Sequence, residues 1–499
     1  MQGATRYSVA ADLIDPPELK WRKDPVLWAR ERLGVHLWSK QREIIESVRD
    51  NSDTAVHSCH EIGKSFVAAV TACWWIDVHP PGSAFVITTA PTQDQVEAIL
   101  WKEINKLHTR GGLRGRTNLT EWYLGKELVA LGRKPSEHNP SRFQGHHALY
   151  FLVVYDEACG IPKELWDGGS TLAANRHGKQ LAIGNPDDPH GEFAVVCRPG
   201  SGWNTIHVGY QHTPNFTGEE VPELLRDSLI SPRWVTSRRQ KWGEHSAIYA
   251  SKVKGEFPVD ADNGAVPYSW AVACRGLQLP EDPTLVEAGI DIGAGGDRTV
   301  IRERRGRVAG REAEFRSSDP MATIGQLVEK INEWGVQRVK VDVIGIGWAL
   351  SGRLSELSST SNPYGTEHTH AAEVVPINFG AGPPEEYKQK FLNMRAYVYW
   401  QVGRELSRLK GWDLTNVDDD VMAELTTPSY TILDSFGKIK IQAKDEVRKI
   451  LGESPDKADA LLLAFVESSW EASLALSAES SLPLDLLRNV EPGQYGIAR

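Results

Sequence analysis

The sequence predicts an α/β protein with two domains. Before about residue 200, short β-rich runs alternate with amphipathic helical patterns, which is typical of a parallel sheet covered by helices. A second α/β pattern begins near residue 281, after a stretch rich in Pro, Gly and charge. With 499 residues, 40% hydrophobic and 24% charged, the chain has ordinary globular composition and can bury at least two cores.

The elements follow in chain order. Asp24 and Pro25 begin a helix that Gly34 ends, and Thr92 with Gln95 forms a capping box. Strands are predicted over 54–57, 84–89, 149–155, 180–183, 286–292, 299–302 and 336–343, and a long helix over 385–409. We place the domain limits at 1–205, 206–280 as a connecting region, 281–475, and 476–499 as a flexible tail.

Composition excludes several classes of protein. No stretch approaches the ~20 apolar residues of a membrane span, and the start lacks a signal-peptide pattern, so a cytoplasmic protein without membrane contact is expected. The five scattered cysteines indicate reduced thiols rather than disulfides or a thiolate zinc site. Most of the 17 tryptophans, including Trp74, Trp75 and Trp348, are predicted to be core residues because their neighbours are apolar.

The net charge of -10 gives no global positive field for nucleic acid. Any DNA contact must therefore be local. Residues 226–254 and 298–311 are rich in Lys and Arg, and each is either a DNA-contacting patch or a solvated charged face.

A first group of residues predicts a nucleotide site. The run from Ser58 to Ser65, S-C-H-E-I-G-K-S, lies between an apolar strand and a helix, which is the setting of a phosphate-binding P-loop. Ser58 and Gly63 would then cradle phosphates, Lys64 would reach the β- and γ-phosphates of ATP, and Ser65 would ligate Mg²⁺. A chance G-K-S is the alternative, since Ser58 and Glu61 stand where smaller residues are usual.

A second strand end makes a chance occurrence of the G-K-S motif improbable. The apolar run 148–155 leads into Asp156 and Glu157, which places both at the carboxyl edge of the sheet. Asp156 is predicted to hold Mg²⁺ through water, and Glu157 to polarise the attacking water. If these two acids stood alone, the simpler interpretation would be an exposed Asp-Glu pair that merely ends a strand.

Three accessory residues have weaker support. Gln41 carries an amide that can pair with adenine, or it is a surface residue of a helix. Asn185 ends the next strand and is a candidate sensor of the γ-phosphate. Arg142 is a candidate arginine finger, or it pairs with a surface carboxylate.

Acidic residues in the second half predict a nuclease site. Asp291 and Asp342 each lie inside an apolar β-rich run, where a charge is costly unless a cation compensates it. Asp456 and Asp459 lie three apart near the start of a helix. Together these acids are the oxygen ligands that a pair of Mg²⁺ ions needs for phosphodiester hydrolysis. Lys444 either approaches the same phosphate or is an exposed hairpin lysine.

The two groups together resemble the large terminase subunits of tailed bacteriophages and prophages. The resemblance covers roughly residues 24–466. It rests on C-H-E-I-G-K-S with Asp156-Glu157-Ala158, on G-E-F-P at 255–258, on F-L-N-M-R at 391–395 and on S-P-D-K-A-D-A at 454–460. It implies an additional-strand, RecA-like P-loop ATPase domain over 1–205 and a ribonuclease H-like nuclease domain over 281–475.

The resemblance also implies an activity and partners. The first domain would hydrolyse ATP to move double-stranded DNA into a procapsid, and the second would cut concatemeric DNA with two Mg²⁺ or Mn²⁺ ions. Portal protein, a small terminase subunit and a homo-oligomeric ring on the procapsid are the implied partners, in the host cytoplasm. Among the acids, Asp459 is preferred as the third ligand by similarity, with Asp456 as support.

One departure from the family pattern and two alternative functions remain. His60 and Glu61 stand where many relatives carry an arginine, which increases the weight of Arg142 acting on a neighbouring subunit. A helicase-like DNA translocase without nuclease activity is one alternative function. A non-enzymatic assembly scaffold with a decayed nucleotide pocket is the other.

Overall fold

The computed structural model describes residues 19–133, 147–293, 298–433 and 437–466. By its internal contacts the chain divides into two compact units. The first contains the described residues up to Pro280 together with 307–309 and 403–458, and the second contains 281–306, 310–402 and the described residues from Asp459. The predicted domain limits at 205, 280 and 475 stay predictions, and the predicted tail at 476–499 lies outside the described residues.

The first unit is built on a mixed sheet of eight strands among the described residues, in the order β3-β4-β5-β2-β6-β7-β1-β8. The strands are β1 (Asp53–Ser58), β2 (Ala84–Thr89), β3 (Arg116–Asn118), β4 (Glu121–Leu124), β5 (Glu127–Gly132), β6 (Tyr150–Asp156), β7 (Lys179–Gly184) and β8 (Asn204–Val208). From β5 to β8 the neighbours run parallel, and β3 and β4 add an antiparallel edge. The parallel order brings the carboxyl ends of β1, β7 and β6 side by side.

The helix that follows β1 spans Lys64–Val78 and is buried around nearly its whole circumference. It contacts β2 and β6, which identifies it as a central helix rather than a surface one. Its neighbours earlier in the chain are Leu19–Lys23, Pro25–Leu33 and Ser39–Asp50. As predicted, Asp24 caps the second of these through Leu27 N, and Gly34 ends it in a left-handed conformation with φ of 61°.

The remaining helices of this unit are shorter. They are Gln95–Trp101 (π), Lys102–Gly111, Ala158–Gly160 (3₁₀), Lys163–Leu172, Glu192–Val196, Tyr210–His212 (3₁₀), Pro214–Thr217, Glu223–Ser228, Pro232–Trp242, Ala247–Tyr249, Ala250–Lys254 (π), Tyr268–Val272, Glu405–Leu409, Asp419–Thr426 and Lys444–Leu451. A hairpin of β14 (Tyr430–Leu433) and β15 (Lys438–Ile441) belongs to the same unit. The predicted capping box of Thr92 and Gln95 is confirmed by reciprocal hydrogen bonds.

The second unit contains a five-stranded sheet in the order β11-β10-β9-β12-β13. Its strands are β9 (Glu281–Asp291), β10 (Arg298–Gly306), β11 (Val308–Arg316), β12 (Arg338–Asp342) and β13 (Glu373–Ile377). β10 runs antiparallel to β9, whereas β12 is parallel to both β9 and β13. The predicted α/β class is confirmed in both units.

The helices of the second unit are Pro320–Trp334, Gly347–Leu357, Glu385–Tyr387 (3₁₀), Met394–Val398 and the first residues of the π-helix Tyr399–Arg404, with the later part of Asp456–Phe465. The core contains Ile290, Leu327, Val339, Val341 and Leu354. These residues lie on alternate strand positions and on the apolar faces of helices, so β and helical periodicity both point into one interior.

Two predictions about elements are wrong. The long helix over 385–409 is interrupted: a 3₁₀ turn ends at Tyr387, and the α-helix begins at Met394, where Asn393 caps it through Ala396 N. Trp348 is 74% exposed, although Trp74 and Trp75 are buried as predicted. It follows a tight turn in the first positions of a helix, where apolar neighbours in sequence do not produce burial.

The two basic stretches are engaged in ion pairs within the chain. In the second, Arg304 pairs with Glu287 at 2.5 Å and Arg302 with Glu312 at 2.8 Å. In the first, Lys252 pairs with Asp187 at 2.7 Å. These cations therefore serve as internal partners of carboxylates, whereas the side chains of Arg239 in the first stretch and Arg311 in the second are 47% and 44% exposed. For the exposed cations, a DNA-contacting patch and a solvated charged face both stay predictions.

The five cysteines are free, as predicted. None of the helices in the described ranges combines the length and the apolarity that a bilayer crossing requires.

Candidate nucleotide and nuclease sites

The P-loop lies between β1 and the helix Lys64–Val78. Its backbone takes two left-handed conformations, at Glu61 with φ of 50° and at Gly63 with φ of 77°. Such a conformation is costly for a residue with a side chain, and its presence at Glu61 is the kind of strain that occurs at functional sites. The turn directs the chain so that Lys64 begins the helix, and the Lys64 side chain is only 8% exposed.

Three strand ends converge on this loop. The hydroxyl of Ser65 donates to Asp156 Oδ2 at 2.9 Å, which joins the P-loop helix to the end of β6. The ammonium of Lys64 donates to Asn185 Oδ1 at 3.3 Å, just beyond the end of β7. Asn185 in turn donates to the carbonyl of Ser58 at 2.6 Å. The structure therefore brings Ser65 to Asp156, 91 positions later in the chain, and Lys64 to Asn185, 121 positions later.

Asp156 is almost completely buried. Burial, together with the neighbouring charge of Glu157, raises the pKa of Asp156, although hydrogen bonding to Ser65 and the charge of Lys64 oppose the rise. A buried carboxylate oxygen beside a hydroxyl oxygen is a donor set that suits Mg²⁺, and the cation would favour the ionised form of the acid. The residues present therefore fit the predicted Mg²⁺ site.

Glu157 has a left-handed backbone with φ of 48° directly after the strand. Its side chain is half-buried. A non-glycine residue in this conformation costs about 1–3 kcal/mol, which indicates that a particular side-chain direction is being maintained at this strand end.

Gln41 packs against the P-loop at Ile62 and Gly63. Its Nε2 donates to the carbonyl of Ile62 at 3.1 Å, and a Cβ added at Gly63 would lie 2.6 Å from that nitrogen. The other atom of the amide, Oε1, is buried with no hydrogen-bond partner among the described residues. Gln41 is thus a buried residue that supports the loop rather than a surface residue of its helix. Arg142 lies outside the described residues.

In the second unit, Asp291 and Asp342 end neighbouring parallel strands. β9 and β12 pair through Ile290 and Val341, each one residue before its aspartate. Because neighbouring strands lie about 5 Å apart, the two aspartates stand at the same level of one sheet edge. Asp291 is 5% exposed, and Asp342 accepts hydrogen bonds from the backbone of Ile344 at 3.2 Å.

Asp459 approaches this edge on a helix that crosses β9. A Cβ added at Gly289 would lie 2.1 Å from the carbonyl oxygen of Ala460 and 2.3 Å from Ala464 N, so only glycine permits this crossing. The tyrosine hydroxyl of Tyr399 donates to Asp459 Oδ1 at 3.0 Å.

The guanidinium of Arg395 lies 3.7 Å from the Asp459 carboxylate. Burial of the Arg395 guanidinium lowers its pKa. Its interactions with Asp459, Tyr399 and Asp291 raise the pKa by more than burial lowers it, so the net shift is upward. The buried guanidinium of Arg395 thus contacts Asp459, and its charge also interacts with that of Asp291.

Asp456 lies in a different environment, within the first unit. Lys444 begins the helix Lys444–Leu451 and its Nζ lies 3.0 Å from Asp456 Oδ1, so it is not an exposed hairpin lysine. The carboxylate of Glu424 accepts from Lys457 N and Ala458 N, which satisfies the start of the last helix.

No group of three or more Asp, Glu, His or Cys side chains in the described part of the chain is close enough to hold a metal ion. Asp291 and Asp342 are brought to one edge, whereas the carboxylate of Asp459 contacts Arg395 and Tyr399. Paired carboxylates at a strand edge fit a hard divalent cation. The three-acid site stays a prediction.

Sequence reasoning missed Tyr399 as a partner of Asp459. The available signal was its spacing of four positions from Arg395, which places the two side chains on one helical face. It also missed the contact of the His60 imidazole with Asp419 and the ion pair of Lys252 with Asp187, for which no local pattern gives a signal.

Comparisons with known proteins were made for the whole chain. Against models of protein families, nothing matches. A protein of Enterobacteria phage P7 described as a probable terminase, large subunit, is 24% identical over 487 residues, covering 89% of this chain and 91% of that protein. The resemblance to large terminase subunits predicted from the motifs is confirmed by this relative.

Solved structures with similarity to parts of the chain include two phage proteins. The Thermus phage P74-26 large terminase ATPase domain is 17% identical, with a TM-score of 0.34, covering 46% of this chain and 96% of that one. The nuclease domain of the large terminase subunit gp2 of bacterial virus Sf6 is 19% identical, with a TM-score of 0.34, covering 41% of this chain and 99% of that one.

Proposed function

We propose that this chain, which resembles large terminase subunits over most of its length, is a DNA-packaging ATPase and endonuclease. The observation that carries the proposal is the convergence of Lys64 and Ser65 with Asp156 and Asn185 at three strand ends. A decayed nucleotide pocket would not retain a buried lysine and a buried carboxylate in these positions, because each is costly without a function.

In the ATPase half, Lys64 would bind the β- and γ-phosphates, with the P-loop backbone from Ser58 to Gly63 around them. Ser65 and Asp156 would hold Mg²⁺, which when bound neutralises charge on the transferred phosphoryl group. Glu157, held at the end of β6, would orient water for attack and accept its proton. Arg142 of a neighbouring subunit remains the candidate arginine finger.

In the nuclease half, Asp291 and Asp342 would supply carboxylate oxygens to Mg²⁺ or Mn²⁺, with Asp459 as the third acid and Asp456 outside the set. Two such ions, when bound, activate water and stabilise the leaving oxygen of a phosphodiester. Tyr399 and Arg395 orient the carboxylate of Asp459 and compensate its charge.

The partners follow from the same proposal. Double-stranded DNA is the substrate, and portal protein, a small terminase subunit and further copies of this chain in a ring are the assembly partners, in the cytoplasm of the host. The acidic net charge of -10 makes binding of DNA by the single chain weak and dependent on salt.

A translocase that does not cut DNA is the second candidate. It is favoured by the 3.7 Å contact of Asp459 with Arg395, because a guanidinium beside this acid repels a divalent cation.

Two substitutions test the proposal separately. Glu157→Gln is expected to abolish DNA-stimulated ATP hydrolysis and to leave Mg²⁺-dependent plasmid nicking intact, whereas Asp291→Asn is expected to do the reverse. Matched controls are Glu164→Gln, exposed on the helix after β6, and Glu281→Gln, exposed at the opposite end of β9 from Asp291. Wild-type protein that releases no phosphate from ATP with DNA and Mg²⁺ would overturn the ATPase half. Nicking unchanged by Asp291→Asn would favour the translocase.

A further inference from the structure

Lys252 contacts two loops of the nucleotide site at once. It lies in the π-helical turn Ala250–Lys254 and is 6% exposed. Its Nζ is 2.7 Å from Asp187 Oδ2, and its own carbonyl oxygen accepts a hydrogen bond from His60 N at 2.9 Å. The side chain therefore holds the loop after β7, while the backbone of the same residue holds the P-loop.

Each contact adjoins a residue that faces the phosphates. Asp187 N donates to the carbonyl of Asn185 at 3.0 Å, and the Asn185 side chain accepts from Lys64. His60 precedes Lys64 by four positions within the P-loop. Lys252 and Asp187 thus connect the P-loop with the loop after β7. The separation of these two loops sets the distance from Lys64 to Asn185.

His60 extends this connection to a third element. Its Nε2 lies 3.5 Å from Asp419 Oδ2, at the start of the helix Asp419–Thr426, and Arg275 also pairs with Asp419 at 2.8 Å. A cavity of about 320 Å³ borders both His60 and Asp419. The P-loop is therefore anchored on one side by Lys252 and on the other by a helix from the residues 403–458.

The charges of Lys252 and Asp187 hold the two side chains together. Burial lowers the pKa of Lys252, but the charges of Asp187 and Asp419 outweigh it, so the ammonium stays protonated. Ser251 donates to the other oxygen of Asp187 at 2.5 Å, which leaves that carboxylate little freedom. A buried ammonium deprived of its carboxylate is strongly unfavourable, so neither loop can move independently of the other without cost.

We propose that Lys252, paired with Asp187, is a positioning residue for ATP hydrolysis that holds the Asn185 loop and the P-loop at a common distance around the γ-phosphate. The proposal rests on the ATPase function proposed above. It concerns the geometry of the transition state rather than the affinity for ATP, since neither Lys252 nor Asp187 faces the phosphates directly.

The test compares steady-state ATP hydrolysis by Lys252→Met and Lys252→Arg with the wild-type chain, in the presence of DNA and Mg²⁺. A loop displaced by about 1 Å is expected to lower kcat by about 100-fold. The KM for ATP should stay near the wild-type value, because the Lys64 and P-loop contacts persist. Lys252→Arg keeps the buried charge and is expected to restore most of the turnover. The matched control is Lys254→Met, which removes an ammonium from the same turn that lies over the ring of Tyr249.

A second variant separates positioning from folding. Lys252→Met combined with Asp187→Leu leaves no unpaired charge in the interior and is expected to fold, yet to hydrolyse ATP as slowly as the single variant. Wild-type kcat in the folded double variant, or in Lys252→Met, would overturn the inference while leaving the ATPase function in place. Absence of hydrolysis by the wild-type chain would instead overturn the function on which the inference rests.

Discussion

Gly289 offers a test of the nuclease site that touches none of the predicted metal ligands. A Cβ at this position would lie 2.1 Å from the carbonyl oxygen of Ala460, whereas ordinary contacts begin at 3.4 Å. In Gly289→Ala the helix that carries Asp459 must therefore move by about 1.3 Å, the difference between these distances. The two atoms closest to the new methyl group, Ala460 O and Ala464 N, belong to the backbone, so no flexible side chain can relieve the overlap.

Two effects of known size are expected from this displacement. Overpacking of this kind costs about 1–3 kcal/mol of stability. A shift of about 1 Å in a catalytic group lowers the rate by about 100-fold. DNA cleavage should therefore fall by about two orders of magnitude, whereas ATP hydrolysis should persist because Lys64 and Asp156 belong to the other unit.

The assay is nicking of supercoiled plasmid with Mg²⁺ or Mn²⁺, measured beside ATP turnover and thermal unfolding. Gly325→Ala is the matched control, because a Cβ at this helical position of the same unit meets nothing within 4 Å. If Gly289→Ala cut DNA at the wild-type rate with an unchanged unfolding temperature, the placement of Asp459 against β9 would be wrong.

Three further predictions concern both units. Gly63→Ala forces a side chain onto a backbone with φ of 77° and brings its Cβ to 2.6 Å from Gln41 Nε2. Binding of a fluorescent ATP analogue should therefore weaken at least tenfold, on the order of 1.4 kcal/mol. Unchanged affinity would contradict the P-loop geometry. Burial lowers the pKa of His79 to about 3, so the unfolded chain, with a histidine pKa of about 6.5, takes up a proton first as pH falls. Stability should thus be full above about pH 6.5 and decline toward pH 3, and calorimetry should find a shallower decline in His79→Phe. Glu287→Gln leaves the buried ammonium of Lys340 without its carboxylate and should lower the free energy of unfolding in urea by about 3–5 kcal/mol. A loss under about 1 kcal/mol would argue against a coupled buried pair.

The seven predicted strands were found because each is a local run with a clear burial pattern, whereas the strands at 116–118, 121–124, 127–132, 204–208, 308–316 and 373–377 were not predicted. β2 is predicted and found over 84–89, since all six of its residues are buried and turn residues bound it. The helix over 385–409 was not predictable in the same way. Its apolar spacing continues through residues that leave the helix, and the Asn393 cap that restarts it competes locally with that pattern.

The candidate sites divide along a similar line. Lys64, Ser65 and Asp156 were predictable because each stands next to a strand whose parallel order brings the carboxyl ends to one edge. The buried role of Gln41 and the engagement of Asp459 by Tyr399 and Arg395 were not, because they depend on which side chains meet across the fold. Arg142 remains a prediction outside the described residues.

The α/β class, seven of the strands and the residues at their ends follow from the sequence, because periodicity and turn chemistry act over a few neighbouring positions. Three features are known from the folded chain alone: 403–458 packs with the first unit, Lys252 joins two loops through Asp187, and Gly289 admits the helix of Asp459. These are contacts between residues far apart in the chain, and their existence depends on how whole elements pack, which no local pattern encodes.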